Sequence, residues 1–94
     1  MDDLTGFQRD LLTVIAGLEE PNGLEIKSEM EHYYESTINH GRLYPNLDTL
    51  VDRSLVAKTK QDERTNAYHL TESGASLLET RRDWESQYVD LEAD

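Results

Sequence analysis

The segment from His40 to Ser54 holds the side chains best suited to recognition chemistry. Wound as a helix at ~100° per residue, it gathers Arg42, Asn46, Thr49 and Arg53 within an arc of ~60°, while Leu43, Leu47, Leu50, Val51 and Ser54 cluster on another side. The first set is what a helix needs to read a DNA major groove. Arginine bridges guanine edges or phosphates, asparagine pairs with adenine, and threonine offers a hydroxyl and a methyl group. The same pattern also describes an ordinary solvated face of an amphipathic helix, so the neighbouring segments carry weight. His40, at the start of the segment, reads as a cap or a phosphate contact.

Directly after this helix the apolar period changes from helical to alternating. Residues 55–60 alternate, residues 61–66 are polar, and residues 67–70 alternate again, which predicts two short strands around a loop. Lys58 and Lys60 on the outgoing strand, with Arg64 and Asn66 at the tip, suit contacts to phosphates or to a minor groove. As a bland alternative, the same residues make a polar turn and a guarded sheet edge.

Other elements must hold this unit. Thr5 and Gln8 have the spacing of a capping box, opening a first helix whose stripe includes Phe7, Leu11, Ile15 and Leu18. Breakers at Pro21, Asn22 and Gly23 end it, and a second helix follows to about Tyr34 with Ile26, Met30 and Tyr33 inward. Pro45 lies only just inside the third helix, where its cost is small. Thr71 caps a long last helix, predicted from Glu72 to about Leu91. The order of helix, helix, helix, hairpin, long helix predicts an α+β, mainly helical winged helix-turn-helix. It forms a single domain over 1–94, with a DNA-binding core over 5–70 and a C-terminal helix over 71–94.

Charge points to the same place once it is resolved along the chain. The 94 residues hold 9 Lys and Arg against 20 Asp and Glu, a net of -11, which taken whole argues against a nucleic-acid binder. By segment, residues 1–39 have two basic and nine acidic side chains, and residues 71–94 have two and seven. Residues 40–70 have five basic and four acidic, so only the third helix and hairpin escape the acidity. We expect cations such as K+ to bridge acidic residues and phosphates at such an interface. An acidic surface working as a winged-helix protein interaction module is the alternative.

Other function classes find little support. There are no cysteines, which removes disulfides, thiol chemistry and cysteine-based zinc sites. No stretch approaches a membrane span, the start of the chain is acidic, and a cytoplasmic protein is expected. His32, His40 and His69 fall on different elements, without a catalytic or phosphate-loop pattern. His32 beside Glu29 and Glu31 reads as a solvated helix face rather than a metal site. No enzyme activity, cofactor or metal is expected.

The last helix carries Leu77, Trp84 and Leu91 at seven-residue spacing, with Tyr88 beside them. Core, ligand pocket and dimer seam all suit this stripe. Dimerisation is favoured because so long a helix exceeds what one small domain buries, with Phe7 and Leu11 of the first helix packing against it. A two-fold homodimer would offer two recognition helices to double-stranded operator DNA.

The runs Asn39 to Val51, Ser54-Leu55-Val56, and Arg64 to Gly74 resemble PadR-type transcriptional regulators. Those have a Leu-Tyr-Pro-x-Leu recognition helix, a Gly-Leu-Val exit, an arginine-rich wing and a Tyr-x-Leu-Thr-x-x-Gly lead-in to the last helix. The resemblance covers nearly the whole chain and implies a homodimeric DNA-binding regulator. Ser54 stands where that family commonly has glycine. The start of the chain and its acidity resemble versions from halophilic archaea, among them stress regulators.

Overall fold

The computed structural model describes residues 3–89. Four helices and one hairpin follow in the order α1 (Gly6–Gly17), α2 (Gly23–Tyr34), α3 (His40–Asp52), β1 (Val56–Lys60), β2 (Asn66–Leu70) and α4 (Glu72–Ser86). This is a winged helix-turn-helix. No helix among the described residues is long and apolar enough to cross a membrane.

The helix starts are encoded locally. Thr5 accepts from the Gln8 amide while Gln8 accepts from the Thr5 amide, closing the expected capping box. Asn22 and Glu25 close a second one on α2. Asn39 caps α3 by accepting from the Arg42 amide, so His40 is the first helical residue and not the cap. Pro45 is the sixth residue of α3, past the first turn, and its missing N–H leaves the Gly41 carbonyl without the usual i+4 donor.

Burial selects one face of each element. Leu11, Leu12 and Ile15 of α1 meet Ile26 and Met30 of α2 and Leu43, Leu47 and Leu50 of α3 in a single core. Ile38, in the turn before α3, is buried with them, and its amide donates to Glu31. That bond, and then the Lys27 ammonium, holds the Glu31 carboxyl below its ordinary range. On α2 the inward stripe runs through Tyr34 instead of Tyr33, which is 74 % exposed. Ile26, Met30 and Tyr34 are spaced i, i+4, i+8, and Tyr34 reaches α1: its ring meets Phe7 edge-on and its hydroxyl donates to Asp10 at 2.6 Å.

The hairpin pairs Val56 with Leu70 through to Lys60 with Asn66. A further rudimentary strand joins it, because the Tyr68 amide donates to the Pro21 carbonyl and Asn22 bridges to Ala67. The connection between α1 and α2 is therefore tied to the wing.

One junction fixes where α4 begins. The Leu55 carbonyl accepts from the Thr71 amide, and the Ser54 carbonyl accepts from the Thr71 hydroxyl at 2.6 Å. Thr71 also caps α4 through Gly74, so the strand and the helix are drawn together. A Cβ on Gly74 would collide with the Leu55 carbonyl oxygen. Ser54 itself is left-handed at φ 62°, the conformation that favours the glycine common at this position in PadR-type chains.

The last helix is shorter than the period predicted. It ends at Ser86 and Gln87 and Tyr88 form a turn, while Leu91 lies outside the described residues. Beyond Leu78, α4 is mostly exposed, and a helix end without a buried face has little tertiary packing to sustain it.

The two junction residues predict opposite effects in thermal unfolding at matched protein concentration. Gly74→Ala forces backbone apart and costs about 2 kcal/mol despite alanine's better helix propensity, so the Tm falls by roughly 10 °C. Ser54→Gly relieves the left-handed strain, about 1 kcal/mol, and raises the Tm by ~4–8 °C.

Candidate nucleic-acid interface

Helical geometry puts Arg42, Asn46, Thr49 and Arg53 along one flank of α3, facing the start of α1. Arg42 and Arg53 are exposed, while Asn46 and Thr49 are half-buried. Each has a partner within the chain. The Arg42 guanidinium lies 3.9 Å from the centre of the Phe7 ring. Asn46 accepts from Gln8 Nε2 at 2.9 Å and donates to the Arg42 carbonyl at 2.7 Å. Thr49 donates to the Pro45 carbonyl, and Arg53 pairs with Asp3 at 2.5 Å.

The neighbouring surface of α3 presents Gly41, Pro45, Asp48 and Asp52 to solvent. Acidic side chains thus stand beside the arginines on the exposed side of the helix. Asp48 is partly neutralised by Lys58 of β1 at 3.8 Å. It also faces Tyr68, whose hydroxyl is raised above its ordinary range by burial and then by the Asp48 charge. His40 is exposed, with its ring 4.3 Å from that of Tyr44.

The hairpin register places Lys58 opposite Tyr68 and Lys60 opposite Asn66. Directly opposed residues share a face, so Lys58, Lys60 and Asn66 lie on the side of the sheet that meets α3. At the tip, Asp62 accepts from the Arg64 amide at 2.9 Å, which holds its carboxyl below the ordinary range. Asp62 therefore builds the turn that presents Arg64, whose side chain is exposed. Among the described residues, no three His, Asp or Glu side chains converge as a metal set would.

The expected dimer residues separate into two groups. Phe7 and Leu11 are 6 % and 0 % exposed and belong to the core of one subunit, so they are not a surface for a partner. The periodicity of α1 marked them as buried, but α2 and α3 of the same chain supply what covers them. Leu77 is half-buried against that core. Trp84 and Tyr88 are exposed and pack on each other at 5.3 Å, with Arg81 4.7 Å from the indole. On the opposite side of α4 a groove of about 990 Å³ runs between that helix and the end of α1, past Ala16, Ala75, Leu78, Glu79, Arg82 and Val89.

The winged-helix fold and this helix-and-hairpin surface define a class, and the sequence agrees: residues 11–80 match the model of the transcriptional regulator PadR-like family. The chain belongs to that family, whose members are transcription regulators and not enzymes. It is similar to H. salinarum RosR grown from NaBr at 48 % identity and a TM-score of 0.90, covering 98 % of this chain and 83 % of that one. It is similar to the RosR-S1 complex at 49 % identity and a TM-score of 0.87, covering 92 % and 76 %. Streptococcus pneumoniae FabT, solved in complex with DNA, shares the fold alone at 17 % identity and a TM-score of 0.75, covering 94 % and 59 %. No curated protein matches the sequence.

Tyr34 ties this surface together, since its ring supports Phe7 beneath Arg42. Burial first, and then the bond to Asp10, push its hydroxyl up to about 12 from 10. A raised folded value contributes stability that is complete below pH ~10 and fades as pH rises through 12. Tyr34→Phe should therefore flatten the alkaline loss of stability in that window, measured by denaturant unfolding at stepped pH.

Proposed function

We propose that this chain is a sequence-specific DNA-binding transcriptional regulator that acts as a homodimer in a high-salt cytoplasm. The observation that carries it is the segment from His40 to Leu70, which folds into the recognition-helix and wing unit. This segment holds five of the nine basic residues within an otherwise acidic chain. Membership in the PadR-like family and the DNA complex of the similarly folded FabT support the reading.

In the proposed complex, Arg42, Asn46, Thr49 and Arg53 face the major groove. His40, Lys58, Lys60, Arg64 and Asn66 contact the backbone or the minor groove. Such work divides as in other DNA readers: base edges give sequence, and phosphates give register. The subunits join through α4 and the turn after it, with Leu77, Trp84 and Tyr88 at the seam. The exposed aromatic pair supports this, because exposed apolar surface marks association sites. The likeness to H. salinarum RosR, at nearly half identity, supports a halophilic archaeal setting.

Replacing Arg42 and Arg53 together by alanine should abolish duplex binding in molar KCl, read by fluorescence anisotropy; undiminished binding sinks the assignment. Salt gives an independent check. Ordinary DNA binders lose affinity steeply as salt rises, because bound counterions are released. Here Asp48 and Asp52 stand beside the arginines, and we propose that K+ or other cations enter between carboxylates and phosphates on binding. Affinity should then hold or rise from low to molar KCl, and a steep monotonic loss is the opposing result.

A further inference from the structure

The flank of α3 assigned to DNA is met at Arg42, Asn46 and Arg53 by the first turn of α1 and by Asp3 ahead of it. Arg42 carries Phe7 at 3.9 Å, Asn46 accepts from Gln8 at 2.9 Å, and Arg53 is paired with Asp3. The last contact differs in kind from the other two. Phe7 and Gln8 are buried parts of the fold, whereas the Asp3 side chain is 69 % exposed and leaves the core untouched. It is a carboxylate set on a guanidinium, the same charge-assisted geometry by which arginine grips a phosphate.

We propose that Asp3 is an intramolecular competitor for DNA, its carboxylate occupying on Arg53 the place that a backbone phosphate takes. The proposal rests on the DNA reading of α3. An exposed pair of this sort is weak, worth ~0.2–1 kcal/mol, and it is screened by salt. It therefore tempers binding at low ionic strength and yields as salt rises, releasing a cationic contact when other phosphate contacts are weakening. No backbone rearrangement is required, only rotation of two exposed side chains.

A double-mutant cycle on a mixed-sequence duplex tests this, because a phosphate contact does not depend on sequence. Asp3→Ala should bind about two- to five-fold tighter than the wild type at low KCl, the range a surface ion pair permits, and the gain should shrink in molar KCl. Combined with Arg53→Ala, the Asp3→Ala substitution should have no further effect. A gain that persists undiminished in the Arg53→Ala background means a general charge effect and overturns the proposal, as does no gain or a loss in Asp3→Ala alone. If Arg53→Ala by itself leaves affinity unchanged, the DNA reading of this flank fails first, which separates the two outcomes. Unchanged thermal melting of Asp3→Ala verifies that the core is intact.

Discussion

Burial of Leu43, Leu47 and Leu50 against α1 is the constraint on which the rest of the molecule depends. All three are fully buried, and they sit within one arc of a rigid helix. Since α3 turns by ~100° at every residue, fixing those leucines fixes the direction of every other side chain on it. The flank bearing Arg42, Asn46, Thr49 and Arg53 is thereby brought against the start of α1, and Asp48 and Asp52 are left toward water. The same packing brings Asp48 to Lys58, so α3 and the wing form one continuous surface. Cavity-forming changes at such leucines cost ~2–5 kcal/mol, a large share of the stability of any domain this small.

Around this core the chain holds its parts with short, local devices. Capping boxes on α1 and α2, the Asn39 cap on α3 and the Thr71 cap on α4 each satisfy helix amides that have no partner inside the helix. Glu31 and Asp62 work in the same way at turns, accepting from the amides of Ile38 and Arg64. Part of the acidity that first suggests repulsion from DNA is therefore structural. Those carboxylates hold backbone, while the remaining ones form the charged envelope.

The last helix stands apart. Its first turn is locked to the strand entrance through Thr71 and Gly74, yet from Thr80 onward it is exposed except at Arg81. A helix anchored at one end, with Trp84 exposed at the other and Tyr88 in the turn beyond it, is suited to meeting a second surface. Among the described residues, those rings meet each other and Arg81.

Much of this was legible in the residues. Helix starts, hairpin and strand alternation follow from caps, breakers and period, because those signals act over a few residues and do not depend on what the element packs against. The inward leucines of α3 were legible for the same reason. What the sequence could not rank was which of two adjacent tyrosines turns inward, since Tyr33 and Tyr34 both fit the period and only the position of Phe7 and Asp10 on α1 selects Tyr34. Nor could it assign the partner of an apolar stripe: Phe7 and Leu11 were marked for burial, but whether α3 or a second subunit covers them is decided by three-dimensional packing. The pairing of Arg53 with Asp3, fifty residues apart, has no local signal at all. By itself, then, the sequence determined the elements and the chemistry they carry, and only the tertiary structure decided which of those groups are already engaged, because burial and pairing are properties of distance in space.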